Sequence, residues 1–146
     1  MTFEFPVEPG QVLLFARSVG DYDSVYDSQL YASPGAPLVA PPTFFWSCEH
    51  FNPESDTRPL LPCKEAGQGG RSDMVHAEQH FEYFQPMRAG ERVVVETFPG
   101  ANWTKPGRSG MLEFRETVTE FRNHVGQLKV RARKVSVRIL GQAADV

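Results

Sequence analysis

Pro41-Pro42-Thr43-Phe44-Phe45-Trp46-Ser47-Cys48-Glu49-His50-Phe51 is the run around which the rest of the chain has to be arranged. Phe44, Ser47, Cys48 and Phe51 recur at helical spacing, and prolines are tolerated in a first helical turn, so the run reads as a short, buried aromatic helix. A helix this apolar needs a cover, and the sequence downstream offers one. Val75–Phe84, Glu91–Asn102, Met111–Asn123 and Gln127–Leu140 are strand candidates, separated by Gly90, Gly107, Gly110 and Gly126. Val135, Val137 and Ile139 alternate with Lys134, Ser136 and Arg138, as in a half-buried antiparallel strand. Asn123-His124-Val125-Gly126 reads as the hairpin turn between the last two strands. Upstream, Val12, Phe15, Ala16 and Val19 share a helical face behind Pro9, and Gly20 stops that helix. Helices and loops precede a sheet, which is an α+β order.

With 146 residues, the chain is the size of one domain. Its 40% hydrophobic, 12% aromatic and 23% charged residues describe a globular protein rather than a disordered one. The net charge is -3, and the local basic series Lys129, Arg131, Arg133, Lys134, Arg138 alternates with apolar residues, so it reads as the wet face of a strand and not as a nucleic-acid surface. Met1–Pro6 lacks the basic and apolar regions of a signal peptide, and no apolar run approaches membrane-spanning length. A cytoplasmic location with Cys48 and Cys63 reduced is the expectation, and the Asn102-Trp103-Thr104 sequon carries no weight. Ser33–Pro37 and 52–73 read as loops, the second long enough to serve as a lid. Gly67-Gln68-Gly69-Gly70 lacks the Lys-Ser/Thr of a phosphate loop.

The stretch beyond the first helix, Ala16-Arg17-Ser18-Val19-Gly20-Asp21-Tyr22-Asp23-Ser24-Val25-Tyr26, resembles the MaoC-like hydratase and dehydratase family, whose motif reads A-x-x-x-G-D-x-N-P-x-H. Ala16, Gly20 and Asp21 match that motif. Asp23 stands where it has Asn, Ser24 where it has Pro, and Tyr26 where it has the catalytic His. Ala40-Pro41-Pro42-Thr43-Phe44, His76–Tyr83 and Pro86-Met87-Arg88-Ala89-Gly90-Glu91 follow in the order found in the N-terminal half of two-part dehydratases and in the substrate-holding subunit of the mycobacterial-type hydroxyacyl dehydratase. The resemblance implies a single hot-dog domain over 1–146, with an antiparallel sheet wrapped around the central helix. It also implies hydration of an enoyl thioester or dehydration of a 3-hydroxyacyl thioester carried by CoA or an acyl-carrier protein, with no metal or redox cofactor.

Such chemistry needs a placed water, a group that moves protons, and donors for the charge that builds on the thioester oxygen. The resemblance puts Asp21 and Tyr26 in the acid/base positions. It puts Pro42, which has no N–H, where the family aims a backbone N–H at the oxyanion. A phenol with an ordinary pKa of ~10 is a poor base at neutral pH. The expectation is therefore a half-site whose partner, a second MaoC-like hot-dog chain, supplies the Asp and His; without such a chain, homodimerisation is the default. Pro42, Thr43, Phe44, Phe45, Trp46 and Cys48 are the candidate substrate-binding residues, with core packing as the competing role for the aromatic stripe. A noncatalytic acyl-CoA-binding homodimer and a hot-dog thioesterase are the alternatives. Elsewhere, His76, Glu78 and His80 alternate along one strand, a spacing that would put three metal ligands on one face, but nothing in the sequence completes a metal site. His50 reads as a polar helix tip and His124 as a solvated turn residue. Ser47 and Cys48 lack the context of a nucleophile.

Overall fold

The computed structural model describes residues 2–23, 26, 38–52, 74–108 and 110–140. The two loops expected at Ser33–Pro37 and, beyond Asn52, up to Asp73 lie outside the described residues, and so do Gly67–Gly70 and Cys63. One antiparallel sheet has the order β1-β3-β4-β5-β2, built from β1 (Thr2–Pro6), β2 (Val75–Tyr83), β3 (Arg92–Gly107), β4 (Gly110–Asn123) and β5 (Leu128–Leu140). Helix α1 (Pro9–Ser18) leads from β1 into the first candidate motif.

The aromatic run forms a helix, but a 3-10 helix over Phe44–Phe51 rather than an α-helix. Phe, Trp, Ser, Cys and His are weak α-formers. Ser47 Oγ also donates to the Phe44 carbonyl at 2.8 Å, one tight turn back. This helix lies across the sheet. The Phe45 ring packs 4.9 Å from Phe121 of β4 and 5.2 Å from Phe81 of β2, while Phe51 at the other end sits 5.3 Å from Phe5 of β1. Phe5, Phe44, Phe45, Cys48, Val93, Val95, Phe121 and Val130 form the centre of the core. Sheet wrapped on helix is the arrangement that the resemblance implied.

Two strands depart from the sequence expectation. β1 was not singled out: five residues are too short to show periodicity, yet Phe5 is fully buried through pairing with Val93. β3 runs through Pro99, inside the expected strand, and continues five residues past Asn102, through Pro106. It can, because β1 pairs only with 92–96; beyond that point β3 has a neighbour on one side among the described strands, where proline costs no ladder bond, and a register shift between Pro99 and Asn102 absorbs the first ring. The hairpin turn forms as read: Gly126 adopts φ 82, and Asn123 Oδ1 accepts the N–H groups of Val125 and Gln127 at 3.2 and 2.9 Å.

The basic series is not one wet face. Arg131 and Arg133 share the outer face with Glu82, Glu116 and Glu120 and pair with them, over the buried Val118 and Val135. Lys134 and Arg138 lie on the opposite face by register, where Arg138 binds Glu113. Lys129 is buried.

Candidate functional site

Asp21 is placed by the way α1 ends. Gly20 takes a left-handed φ of 80, its N–H bonds to the Arg17 carbonyl at 3.1 Å, and the Asp21 N–H bonds to the Ala16 carbonyl at 2.9 Å. That is a Schellman stop, available to glycine because it has no Cβ. Asp21 Oδ1 then accepts the Asp23 N–H at 3.2 Å. Tyr26 returns to the same corner: its ring packs against the core, and its hydroxyl donates to the Asp21 carboxylate. Burial raises the Tyr26 pKa above the ordinary phenol value, and the Asp21 charge, the hydrogen bond to Asp21 and the Asp23 charge raise it further. At neutral pH Tyr26 is therefore a proton donor engaged with Asp21, not a base. Asp21 and Tyr26 line a cavity of about 330 Å³ with Leu13, Arg17, Tyr22 and Asp23.

A second cavity, of about 410 Å³, opens at the start of the 3-10 helix. It is lined by Val39, Ala40, Pro41, Pro42 and Phe45 on one side and by Tyr83, Phe84, Gln85, Pro86, Met87 and Val130 on the other. The two sides are laced together by backbone bonds, Ala40 N–H to the Met87 carbonyl at 2.9 Å and Ala89 N–H to the Leu38 carbonyl at 2.8 Å. Tyr83 is the single ionisable side chain among the described lining residues, and burial raises its pKa, so it too stays neutral. Among the described residues the cavity is thus an apolar receptacle without an acid or base poised near neutrality.

Of the residues expected to bind substrate, Pro42 and Phe45 line this cavity. Thr43 is exposed beside it. Phe44 packs into the core between Phe5 and Phe15, each ring centroid 5.6 Å away, and Trp46 leans on Phe81 at 6.0 Å. Cys48 is buried; burial and then the charge of Glu49 push its thiol up to about 12, which makes it packing rather than a nucleophile. Asp21 and Tyr26 meet each other, but they line a different cavity from Pro42 and Phe45. Tyr83, Phe84, Gln85 and Val130 were not singled out as site residues from sequence; the nearest signals were two phrases shared with the family, one ending at Tyr83 and one opening at Pro86-Met87.

The alternation at His76, Glu78 and His80 is broken by a bulge. The register runs His76↔Ser136 and then Glu78↔Val135, so His76 falls on the opposite face from Glu78 and His80. Glu78 and His80 instead bind each other at 3.0 Å. Among the described residues no group of three or more His, Cys, Asp or Glu could hold a metal ion, and no helix is long and apolar enough to cross a membrane. His50 and His124 are exposed, at the end of the 3-10 helix and in the β4–β5 turn.

Comparison with known proteins places this architecture. The family model for the FAS1-like dehydratase domain region matches residues 1–131. A UPF0336 protein of Streptomyces coelicolor is 33% identical over 102 residues, which cover 62% of this chain and 59% of that protein. The chain therefore matches little more than half the length of this curated relative. In the C-terminally truncated HadBC (3R-hydroxyacyl-ACP dehydratase) complex of Mycobacterium tuberculosis, one chain aligns with a TM-score of 0.64 at 20% identity, over 94% of each chain. A MaoC-like dehydratase from Phytophthora capsici aligns with a TM-score of 0.64 at 22% identity, over 97% of this chain and 47% of that one. The structural likenesses establish a shared hot-dog fold, and the family match goes further: the chain belongs to the family of the FAS1-like dehydratase domain region.

Proposed function

We propose that this chain is the substrate-holding half of an enoyl-thioester hydratase or 3-hydroxyacyl-thioester dehydratase, with a second hot-dog domain supplying the Asp and His. The observation that carries the reading is the separation of the two cavities. The apolar one has the shape and lining for an acyl chain but, among the described residues, no acid, no base and, at Pro42, no N–H to donate. The other holds Asp21, but with a neutral Tyr26 where the family motif has histidine. Neither cavity alone meets the needs of proton transfer at an enoyl thioester.

Two comparisons support a partnership. The HadBC dehydratase is a complex, and the Phytophthora MaoC-like chain is about twice as long as the part that this protein matches. β2 is an edge strand, paired with β5 alone among the described strands, and carries exposed Val75 and Tyr83. Such an edge is a template for extending the sheet into a second domain. The substrate is a CoA or acyl-carrier thioester, and neither metal nor redox cofactor enters the chemistry.

The test is hydration of crotonyl-CoA and longer enoyl-CoAs by the purified chain, alone and mixed with a hot-dog protein from a neighbouring gene. Activity should appear only in the mixture. Full activity of the isolated chain, lost on Asp21→Ala, would sink the half-site reading. Release of free CoA would mark a thioesterase instead, and a stable homodimer that binds acyl-CoA without turnover would mark a binding protein.

A further inference from the structure

Phe84–Met87, one wall of the apolar cavity, belongs to no strand. Something other than the sheet ladder has to hold it, and a buried lysine does. β4 and β5 shift register between Phe121↔Val130 and Arg122↔Leu128, leaving Lys129 as the extra residue of a bulge. A bulge re-aims a side chain out of the strand's alternation. The Lys129 carbonyl accepts the N–H groups of Phe84 at 2.9 Å and Gln85 at 3.2 Å. Its Nζ, on a residue only 4% exposed, donates to the Pro86 carbonyl at 2.9 Å and lies 2.7 Å from Glu91 Oε2 and 2.8 Å from Oε1. Glu91 Oε2 in turn accepts the Arg88 N–H at 3.1 Å. One residue thus ties down the cavity wall from both its backbone and its ammonium, and Glu91 closes the far end of the same turn.

For stability alone an apolar side chain would serve about as well, because desolvating an ammonium offsets much of what its ion pair returns. The charged pair adds direction: hydrogen bonds to Pro86 and Glu91 allow one placement of the turn. We propose that Lys129 and Glu91 are a positioning pair that holds the Phe84–Met87 wall and so sets the length of acyl chain the cavity accepts. The chain-length part rests on the acyl-holding function proposed above.

The wild type, Lys129→Met, Glu91→Ala and Glu91→Gln are compared by amide hydrogen exchange and by calorimetric titration with butyryl-, octanoyl- and dodecanoyl-CoA. Lys129→Met and Glu91→Ala should speed exchange at Phe84, Gln85 and Ala89 while leaving Val95 and Phe121 unchanged. They should also shift the affinity ratio between long and short acyl chains by about tenfold, the size expected for losing a charged hydrogen bond that shapes a site. Glu91→Gln keeps an acceptor oxygen and should restore most of both properties. An unchanged ratio across all variants overturns the role in chain length. Unchanged exchange over 84–89 overturns the positioning pair itself. A wild type that binds none of the three thioesters overturns the acyl-holding function, while the exchange comparison still decides whether the pair holds the wall. Should either single variant fail to fold, the double variant Lys129→Met with Glu91→Gln, which leaves no buried charge unpaired, carries the same comparison.

Discussion

Tyr26 shows how one substitution changes what a site can do. Histidine at that position would titrate near neutrality, whereas the phenol starts from ~10 and is raised further, first by burial and then by Asp21. Because burial is the larger cause, removing the Asp21 charge should undo only part of the shift. Asp21→Asn is expected to lower the Tyr26 titration midpoint, but not fully to the ordinary value. Phenolate absorbance across alkaline pH measures this, with Tyr26→Phe identifying the signal; a midpoint unmoved by Asp21→Asn would mean that the two side chains do not interact. The sign for stability follows from the raised value. The folded state favours the neutral phenol, so its contribution is whole below the ordinary phenol pKa and is lost as pH rises through the native one. The sequence revealed the identity of the substituted residue, but not whether Asp21 and Tyr26 touch. The Schellman stop places Asp21, and the Tyr26 N–H bonds to the Asp23 carbonyl at 3.1 Å, bonds that no local pattern displays.

At the scale of elements, the least expected feature is the length of β3. Its last five residues carry Trp103, whose ring stacks on Phe114 of β4 at 5.2 Å with an interplanar angle of 2°. Lys105 Nζ lies 5.6 Å from the centroid of the same Phe114 ring. The pair should be coupled by about 0.5–1.5 kcal/mol, the usual range for aromatic contacts beyond their buried area. A double-mutant cycle with Trp103→Ala and Phe114→Ala, followed by denaturant unfolding, measures it. A coupling near zero would imply that β3 ends at Asn102, as the sequence pattern suggests. The pattern misleads there because a proline such as Pro106 argues against a strand only when both its edges are paired. Strand β2 misleads in the other direction: its alternation is real, but the bulge between His76 and Glu78 reverses which face each side chain takes. A one-residue insertion of that kind leaves no mark in a one-dimensional pattern.

Across the whole molecule, the outer face of the sheet is held by an ion-pair ladder, and Glu120 is its centre. Burial opposes ionisation of Glu120, but the hydrogen bonds and charges of Arg122 and Arg131 outweigh it and hold the pKa below the ordinary glutamate value. A depressed pKa contributes stability above the unfolded value, and that contribution disappears as pH falls through the native one. Glu120→Gln should therefore flatten the loss of stability in acid below pH ~4.3, the ordinary glutamate value, as read by circular dichroism in a pH titration. Identical acid profiles for wild type and variant would remove Glu120 from the acid response. The sequence by itself determined the order of elements from α1 onward, the antiparallel strands, the aromatic helix they cover, the hairpin at Asn123–Gly126 and the resemblance to a dehydratase family. Each of these is written in local periodicity, turn chemistry or motif order. Only the tertiary structure decided that Asp21 and Pro42 face different cavities, that Lys129 is buried beneath a cavity wall, and that the basic series divides between two faces. Those outcomes depend on register shifts and on which strands become neighbours, and the ladder that sets them pairs residues far apart along the chain.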